Sequence, residues 1–423
     1  MADGKGKPAL DHGVLEQILE ITRQLARAFD LQTLLERVID QGRALLRADR
    51  GTVFLYDADS DELFSTVATG TGELRIPADR GIVGECARTR HVVNVPDCYA
   101  DSRFNQEIDR KTGYRTRCLL TVPLIGYDES LVGVLQVLNK KAGVFTEEDE
   151  RIATALGAQC AVALQRARMV EEQLAKEKMD RELALARDIQ MRVLPRAVPE
   201  LVGYDAAGWF RPADQTGGDI FDIIGVNENR MLLLLGDATG HGIGPALSVT
   251  QVRSMLRMCA RLGAGLDEAF QNINDQLCED LASNRFVTAF LGLLDGTDHR
   301  IAYHAGGQGP LLHFHAATGK CESLTSSTMP MGMMAGFPIK QPDPITFAPG
   351  DILGLMTDGI FEYENPAEEQ FGEQRVGDLL REHQNEPMSR LIQLMFGEIE
   401  TFSEGAPQLD DMTILLLRRL PGD

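Results

Sequence analysis

Four short acidic segments in the second half of the sequence carry the residue types best suited to hold a hard cation. They are Gly217-Gly218-Asp219-Ile220-Phe221-Asp222, Gly236-Asp237-Ala238-Thr239-Gly240-His241-Gly242, Thr357-Asp358-Gly359-Ile360-Phe361-Glu362 and Gln408-Leu409-Asp410-Asp411-Met412-Thr413. Each lies at a predicted strand end or turn. Mg²⁺ and Mn²⁺ take oxygen ligands, so carboxylates beside glycine, with no cysteine among them, suit those ions better than zinc. Two such ions about 4 Å apart lower the pKa of a bound water and clamp a phosphoryl group for in-line attack. Aspartate and glycine also make turns without any metal, and spacing alone does not unite the four segments into one site.

Their order and wording do more. With Ala186-Arg187-Asp188-Ile189-Gln190 and Leu194-Pro195 before them, and Phe286-Val287-Thr288 and Tyr303-His304-Ala305-Gly306 between them, they run nearly to the C-terminus. The set resembles the SpoIIE-like branch of the metal-dependent (PPM, protein phosphatase 2C-like) serine/threonine phosphatases. The resemblance implies an αββα sandwich with a binuclear Mn²⁺/Mg²⁺ centre at one end. In it Asp237 would bridge the ions with the Ala238 carbonyl as a further ligand, and Asp358 and Asp410 would complete one ion. Asp219 or Asp222 would serve the other, Glu362 stands where some relatives hold a weaker third ion, and Asp411 would support the site from behind. Water would attack phosphorus directly, with no phosphoenzyme. The implied substrate is a phosphorylated STAS-domain anti-anti-sigma protein in bacterial partner switching. A catalytically silent module that only sequesters a partner is the alternative, and the complete aspartate set argues against it.

Two features depart from that pattern or leave it open. Ala305-Gly306-Gly307-Gln308-Gly309-Pro310 stands where the family often has Ala-Gly-His-x-Pro, and Met331-Gly332 after Pro330 replaces its Pro-Leu-Gly. His241 reads either as a general acid toward the leaving serine oxygen or as a residue that orders its own turn. The segment Gly217 to Phe221 also looks like the GGDEF signature of diguanylate cyclases, but Ile220 replaces the acidic fourth residue and the later acidic turns go unexplained.

The first part of the chain has a second set of motifs. Asn139-Lys140, then Phe145, then Asp149-Glu150 reproduces the NK-F-DE pattern of cyclic-nucleotide-type GAF domains, which this region resembles. Arg103-Phe104-Asn105, Asp109 and Thr112-Gly113-Tyr114-Arg115-Thr116 resemble the same subgroup. That match implies a small-molecule ligand, cAMP or cGMP first, held by Arg103, Phe104, Asn105, Asp109 and Thr116. A different small molecule and a ligand-free dimerisation domain remain alternatives. An ion pair between Lys140 and Asp149 would tie the last strand to the exit helix and support the pocket without touching ligand.

The elements that must position these residues follow from periodicity. Leu15, Ile18, Thr22, Leu25 and Phe29, continued by Leu34, Leu35, Val38 and Leu45, form a helical stripe. GTVFLYDADSDELFSTVATG reads as two strands about the turn Asp57 to Asp61, and CLLTVPLIGYDESLVGVLQVLNK as two more about Tyr127 to Ser130. From Thr146 to about Leu194 good helix formers dominate until Pro195 stops them. Met179, Leu183, Ala186, Gln190 and Val193 step by four and three, the spacing of a coiled-coil seam and hence of a homodimer, or of a helix packed on a domain of its own chain. Beyond it lie strands over 204–210, 219–226, 231–240, 286–295, 300–306, 309–316, 351–359 and 412–420. Helices fall over 244–262, 266–281 and 375–402. The expected class is α+β multidomain: a tail over 1–13, a GAF-like domain over 14–165, a helical linker over 166–196 and a phosphatase-like domain over 197–423.

Composition narrows the partners. A net charge of −21 opposes nucleic acid, whose phosphates demand clustered lysine and arginine, and disfavours anionic lipid. No stretch approaches the roughly 20 apolar residues of a membrane span, and the N-terminus lacks the apolar core of a signal peptide. Seven scattered cysteines without a C-x-x-C pair suit reduced thiols and a cytoplasmic protein.

Overall fold

The computed structural model describes residues 31–65 and 74–422, together with Glu16, Leu19, Glu20 and Arg23. The predicted stripe from Leu15 to Phe29 lies outside the described residues. The chain divides into two compact units, residues 1–178 and 179–423.

In the first unit, helix α1 (Leu31–Leu45) leads into a six-stranded antiparallel sheet. Its strands are β1 (Ala48–Asp57), β2 (Glu62–Ser65), β3 (Leu74–Pro77), β4 (Val93–Val95), β5 (Leu119–Ile125) and β6 (Leu131–Lys140), in the order β3-β2-β1-β6-β5-β4. One face is covered by α1 and by the start of a long helix. There Leu34, Leu35 and Val38 meet Val53, Leu120 and Leu135, with Ile152, Leu156 and Leu164 beside them. The other face carries α2 (Gly81–Thr89) and α3 (Gln106–Thr112), which occupy the stretch that sequence patterning leaves irregular.

The long helix α4 (Glu147–Val193) matches its expected bounds within a residue at each end. Its start is a capping box: the Asp149 carboxylate accepts from the Thr146 amide at 2.7 Å, and the Asp149 amide donates to Thr146 Oγ1 at 3.4 Å. Lys140 closes an ion pair on that same carboxylate, so the predicted tie between β6 and the exit helix is present.

The second unit is a double sandwich. One sheet has the order β14-β11-β10-β9-β8, built from β8 (Asp219–Asn227), β9 (Arg230–Ala238), β10 (Val287–Asp295), β11 (Arg300–Gly306) and β14 (Ile345–Thr346). The other has the order β13-β12-β15-β16-β7, from β7 (Tyr204–Arg211), β12 (Leu311–His315), β13 (Lys320–Leu324), β15 (Ile352–Met356) and β16 (Met412–Arg419). Helices α5 (Ile243–Leu262) and α6 (Leu266–Asp280) cover the first sheet. The second is covered by α8 (Gly372–Glu382) and α9 (Met388–Ser403), with the short turn α7 (Asp358–Phe361) between β15 and them. Every central strand is therefore buried on both faces, which is why β9, β15 and β16 read as unbroken apolar runs rather than alternating ones. In β9, Leu233 and Leu235 face the opposite sheet while Leu232 and Leu234 face the helices.

Two expectations change. The helix predicted over 375–402 is two helices: the first ends at Glu382, a turn in which the Glu386 amide donates to the His383 carbonyl follows, and Pro387 stands at the N-cap of the second, where its missing amide costs nothing. The predicted seam is also divided. Gln190 is buried and Val193 packs against the α5/α6 core of its own unit, so these two positions do not face a second chain, whereas Met179 is exposed.

Candidate metal centre

The acidic segments converge where strands of the two facing sheets end together. Asp219 opens β8 and Asp237 lies near the end of β9, directly opposite it in the antiparallel register. Asp358, Asp410 and Asp411 all stand close enough to Asp237 to repel its charge, as Asp237 repels that of Asp219. From the other sheet, Asp358 begins α7 just beyond β15, and Asp410-Asp411 precede β16. A Cβ on Gly359 would come 2.0 Å from the Asp411 carbonyl oxygen, so only glycine lets the Asp358 turn sit against the Asp410-Asp411 loop.

Asp219 is held by hydroxyls from the opposite sheet. Thr357 Oγ1 and Thr413 Oγ1 donate to its Oδ2 at 2.7 and 2.6 Å, and the Thr413 amide donates to Thr357 Oγ1 at 3.0 Å. Asp411 points back at the chain that delivers Asp219. Its carboxylate accepts from the amides of Ala213 at 2.7 Å and Gly218 at 2.5 Å. Gly217 is gripped a second time by the buried Gln190 of α4, whose Nε2 donates to the Gly217 carbonyl at 2.7 Å and whose Oε1 accepts its amide at 3.1 Å. Gln308, in the segment that departs from the family pattern, donates to the Met356 carbonyl at 2.9 Å and accepts from Thr288 Oγ1 at 3.3 Å. It ties the ends of β15 and β10 together.

Burial and neighbouring carboxyls push Asp237 up to about 7, and push buried Asp219 well above the usual carboxylate range. Burial also raises Asp411. The charged groups that act most strongly on Asp219 and Asp237 are themselves carboxyls. Negative charge is thus concentrated against a wall of oxygen donors, which fits a pair of hard divalent ions. The backbone fits as well: a Cβ on Gly218 would come 2.7 Å from the Ala238 carbonyl oxygen, the very donor expected to serve as a ligand.

Asp222 does not join this cluster. Alternation along β8 turns it to the helix-facing side, away from Asp219. There its carboxylate is fully buried and occupied by Arg257, at 2.5 and 2.8 Å, and by Arg253 at 2.8 Å. Of the two, Asp219 alone stands in the acidic cluster. Glu362 is exposed and shares with Asp410 the lining of an adjacent cavity of about 430 Å³. His241 sits on the exposed turn between Gly240 and Gly242, both left-handed, with its Nδ1 3.2 Å from Asp214 Oδ2. His313 and His315 lie on β12, outside this cluster.

Sequence motifs contained Thr357, Thr413 and Gln190 without marking what they do. Their partners lie 138, 194 and 27 residues away, and no local spacing encodes such contacts.

In the first unit, Arg103, Phe104, Asn105, Asp109 and Thr116 all line one cavity of about 390 Å³ on the α2/α3 side of the sheet. Several of their polar atoms build its wall. Arg103 pairs with Glu85 at 2.8 Å and with Asp101, Asn105 Oδ1 caps α3 through the Glu107 amide at 2.9 Å, and buried Asp109 accepts from the Thr116 amide and hydroxyl at 2.7 and 2.8 Å. Arg50, stacked 3.7 Å over the Tyr114 ring, and Arg80 add positive charge to the lining.

Residues 227–420 match the family model of stage II sporulation protein E (SpoIIE), and residues 30–164 match that of the GAF domain. A dual 3′,5′-cyclic-AMP and -GMP phosphodiesterase 11A of Takifugu rubripes is 31% identical over 190 residues, covering 41% of this chain and 21% of that protein. A cGMP-specific 3′,5′-cyclic phosphodiesterase of Drosophila ananassae is 32% identical over 199 residues, covering 43% and 17%. The chain therefore spans about a fifth of the length of these curated relatives. Among solved structures, the PP2C domain of SiaA from Pseudomonas aeruginosa shares the fold at a TM-score of 0.51 and 22% identity, covering 58% of this chain and 98% of that one.

Proposed function

Since the chain carries a GAF domain over residues 30–164 and a SpoIIE-family domain over residues 227–420, we propose that it is a metal-dependent phosphoserine/phosphothreonine protein phosphatase governed by a small-molecule sensor. The observation that carries this reading is the convergence of Asp219, Asp237, Asp358 and Asp410 at one end of the sandwich, where their mutual repulsion is what bound cations would relieve. Asp237 would bridge two Mn²⁺ or Mg²⁺ ions, with the Ala238 carbonyl, Asp219, Asp358 and Asp410 completing them and Glu362 serving a weaker third. When bound, the ions supply Lewis-acid activation of water and neutralise phosphoryl charge.

The chain's own groups do the rest. Thr357 and Thr413 fix one oxygen of Asp219, and Asp411 holds the loop that delivers it. His241, exposed and with its Nδ1 beside Asp214, would serve as the proton donor to the leaving serine or threonine oxygen. The resemblance of the motifs to SpoIIE-like phosphatases supports a phosphorylated STAS-domain anti-anti-sigma protein as substrate, in the cytoplasm. The test is release of phosphate from such a protein by the full chain with Mn²⁺, and its loss on adding EDTA. Binding of the phosphoprotein without any metal-dependent phosphate release would favour the silent sequestering module instead.

For the sensor, the named activities of the phosphodiesterase relatives and the NK-F-DE pattern support a cyclic nucleotide in the Arg50/Arg80/Arg103 cavity. Its size falls within the roughly 300–1,000 Å³ of ordinary ligand sites. Calorimetry on the full chain should show cAMP or cGMP binding at micromolar Kd or tighter. Lys140→Ala should weaken it by ~10-fold, about 1.4 kcal/mol, through loss of the β6–α4 tie rather than of a ligand contact. Flat titrations with both nucleotides would remove this ligand class and leave the phosphatase reading untouched. Transmission would run along α4, with pairing of two chains through Met179 and Leu183 upstream of the docked Gln190.

A further inference from the structure

The helix-covered sheet of the second unit holds another group of metal-type donors, at the opposite end of β15 from the acidic cluster. Asp351 immediately precedes β15 and Asp358 follows it, so at about 3.3 Å per residue the two lie roughly 20 Å apart. His313 and His315 alternate on β12 and therefore share a face, the one turned toward the other sheet, while Phe314 between them enters the core under α8 and α9. Register sets His313 beside Leu353 and Phe314 beside Ile352, which brings both imidazoles to the Asp351 carboxylate.

The donors are close, yet they do not satisfy one another. His313 Nε2 is 3.6 Å and His315 Nδ1 3.7 Å from Asp351 Oδ2, both too long for hydrogen bonds. The His313 side chain is only 6% exposed, and its Nε2 has no hydrogen-bond partner among the described residues. A buried ring nitrogen left so is costly. One donor atom from each of the three residues lies within 4.8 Å of the others. An ion bonded at about 2.0–2.2 Å in a tetrahedral site separates its ligands by roughly 3.4 Å, so small side-chain movements would seat it.

The outer groups are also those a metal site needs. Asp351 is anchored by the Ala316 amide on Oδ1 and the Ala348 amide on Oδ2, each at 2.9 Å. His315 Nε2 lies 3.2 Å from Glu322 Oε2 on the edge strand β13, which fixes the proton on Nε2 and leaves the Nδ1 lone pair facing Asp351. Burial, then His315, lower the pKa of the His313 imidazole, the direction that favours a ligating ring nitrogen.

We infer that His313 Nε2, His315 Nδ1 and Asp351 Oδ2 form a binding site for a borderline divalent transition metal, Zn²⁺ foremost. Two imidazoles and one carboxylate select that class over Mg²⁺ and Mn²⁺. The site is separate from the acidic centre in place and in chemistry, and it would staple β12 to the turn before β15.

The test uses the full chain, stripped with EDTA and held in millimolar Mg²⁺ to fill the hard-ion ligands. One equivalent of Zn²⁺ should bind and raise the melting temperature, and Co²⁺ should give the visible absorption of a four-coordinate ion. His315→Gln should lower Zn²⁺ affinity at least ~10-fold, and Glu322→Gln, on an exposed edge that tolerates change, by ~10-fold as an outer-partner loss. Asp358→Asn should leave Zn²⁺ binding at this site unaltered. Absence of Zn²⁺ binding by the wild type in Mg²⁺, wild-type affinity in both His315→Gln and Glu322→Gln, or loss of the site in Asp358→Asn would each overturn the assignment.

Discussion

Asp237→Asn should lower Mn²⁺-dependent phosphoprotein hydrolysis by more than ~100-fold, since outer partners of metal ligands alone are worth ~10–100-fold and Asp237 would hold both ions in the proposed centre. The same change should stabilise the metal-free protein. The Asp237 carboxyl is raised by burial and then by Asp358, Asp410 and Asp411, from an unfolded value of 3.8 to about 7. A carboxyl raised on folding keeps its proton longer in the folded chain. The folded state is therefore favoured below the unfolded value and loses that advantage as pH climbs through about 7. Metal-free wild type should melt at higher temperature at pH 5 than at pH 8, with Asp219, raised in the same sense, adding to the trend. The Asn variant lacks one of these charges, so its melting temperature in EDTA should exceed the wild type's at pH 8 and vary less with pH. Saturating Mn²⁺ should reverse that order. Near-normal turnover in the variant would sink the two-ion assignment, whatever its stability.

Asp222→Ala should do the opposite: unfold readily and leave metal affinity alone. Its carboxylate is completely buried between Arg253 and Arg257, so removing it strands two cations inside the α5–β8 packing. Breaking a buried ion pair in this way costs about 3–5 kcal/mol, which for a unit of this size lowers the melting temperature by roughly 10 °C. Titration of Mn²⁺ into the variant at a temperature where it remains folded should give wild-type affinity. A large loss of Mn²⁺ affinity with unchanged melting would restore Asp222 as a ligand. The contrast with Asp219, three residues away, separates a structural aspartate from one built for a cation.

How far the sequence reveals this arrangement depends on whether a feature is local. The strands of the second unit are legible because apolar runs bounded by glycine and aspartate turns are short-range signals. So are the long helix, with its Thr146-Asp149 start, and the four acidic turns. The Lys140–Asp149 pair follows likewise from a short motif, Asn139 to Glu150. Long-range closure is what the residue pattern alone leaves open. Asp219 and Asp222 look equivalent until β8 has a known pair of faces, and only then does the two-residue alternation send one to the cluster and the other to arginines. Gln190 fits a heptad seam by spacing, yet its amide is matched to the backbone of Gly217, a partner that helical periodicity does not describe.

The clasp of Gln190 on Gly217 has a consequence in the reverse direction. The glycine it grips is two residues from Asp219, so the last turn of α4 and the cation ligand belong to one hydrogen-bonded assembly. Free-energy coupling between two binding events is reciprocal. If an ordered α4 terminus favours cation binding, then a bound cation must favour an ordered terminus by the same factor. Hydrogen exchange at the amides around Gln190 would then report the occupancy of the acidic centre, making the end of the helix a gauge of cation binding.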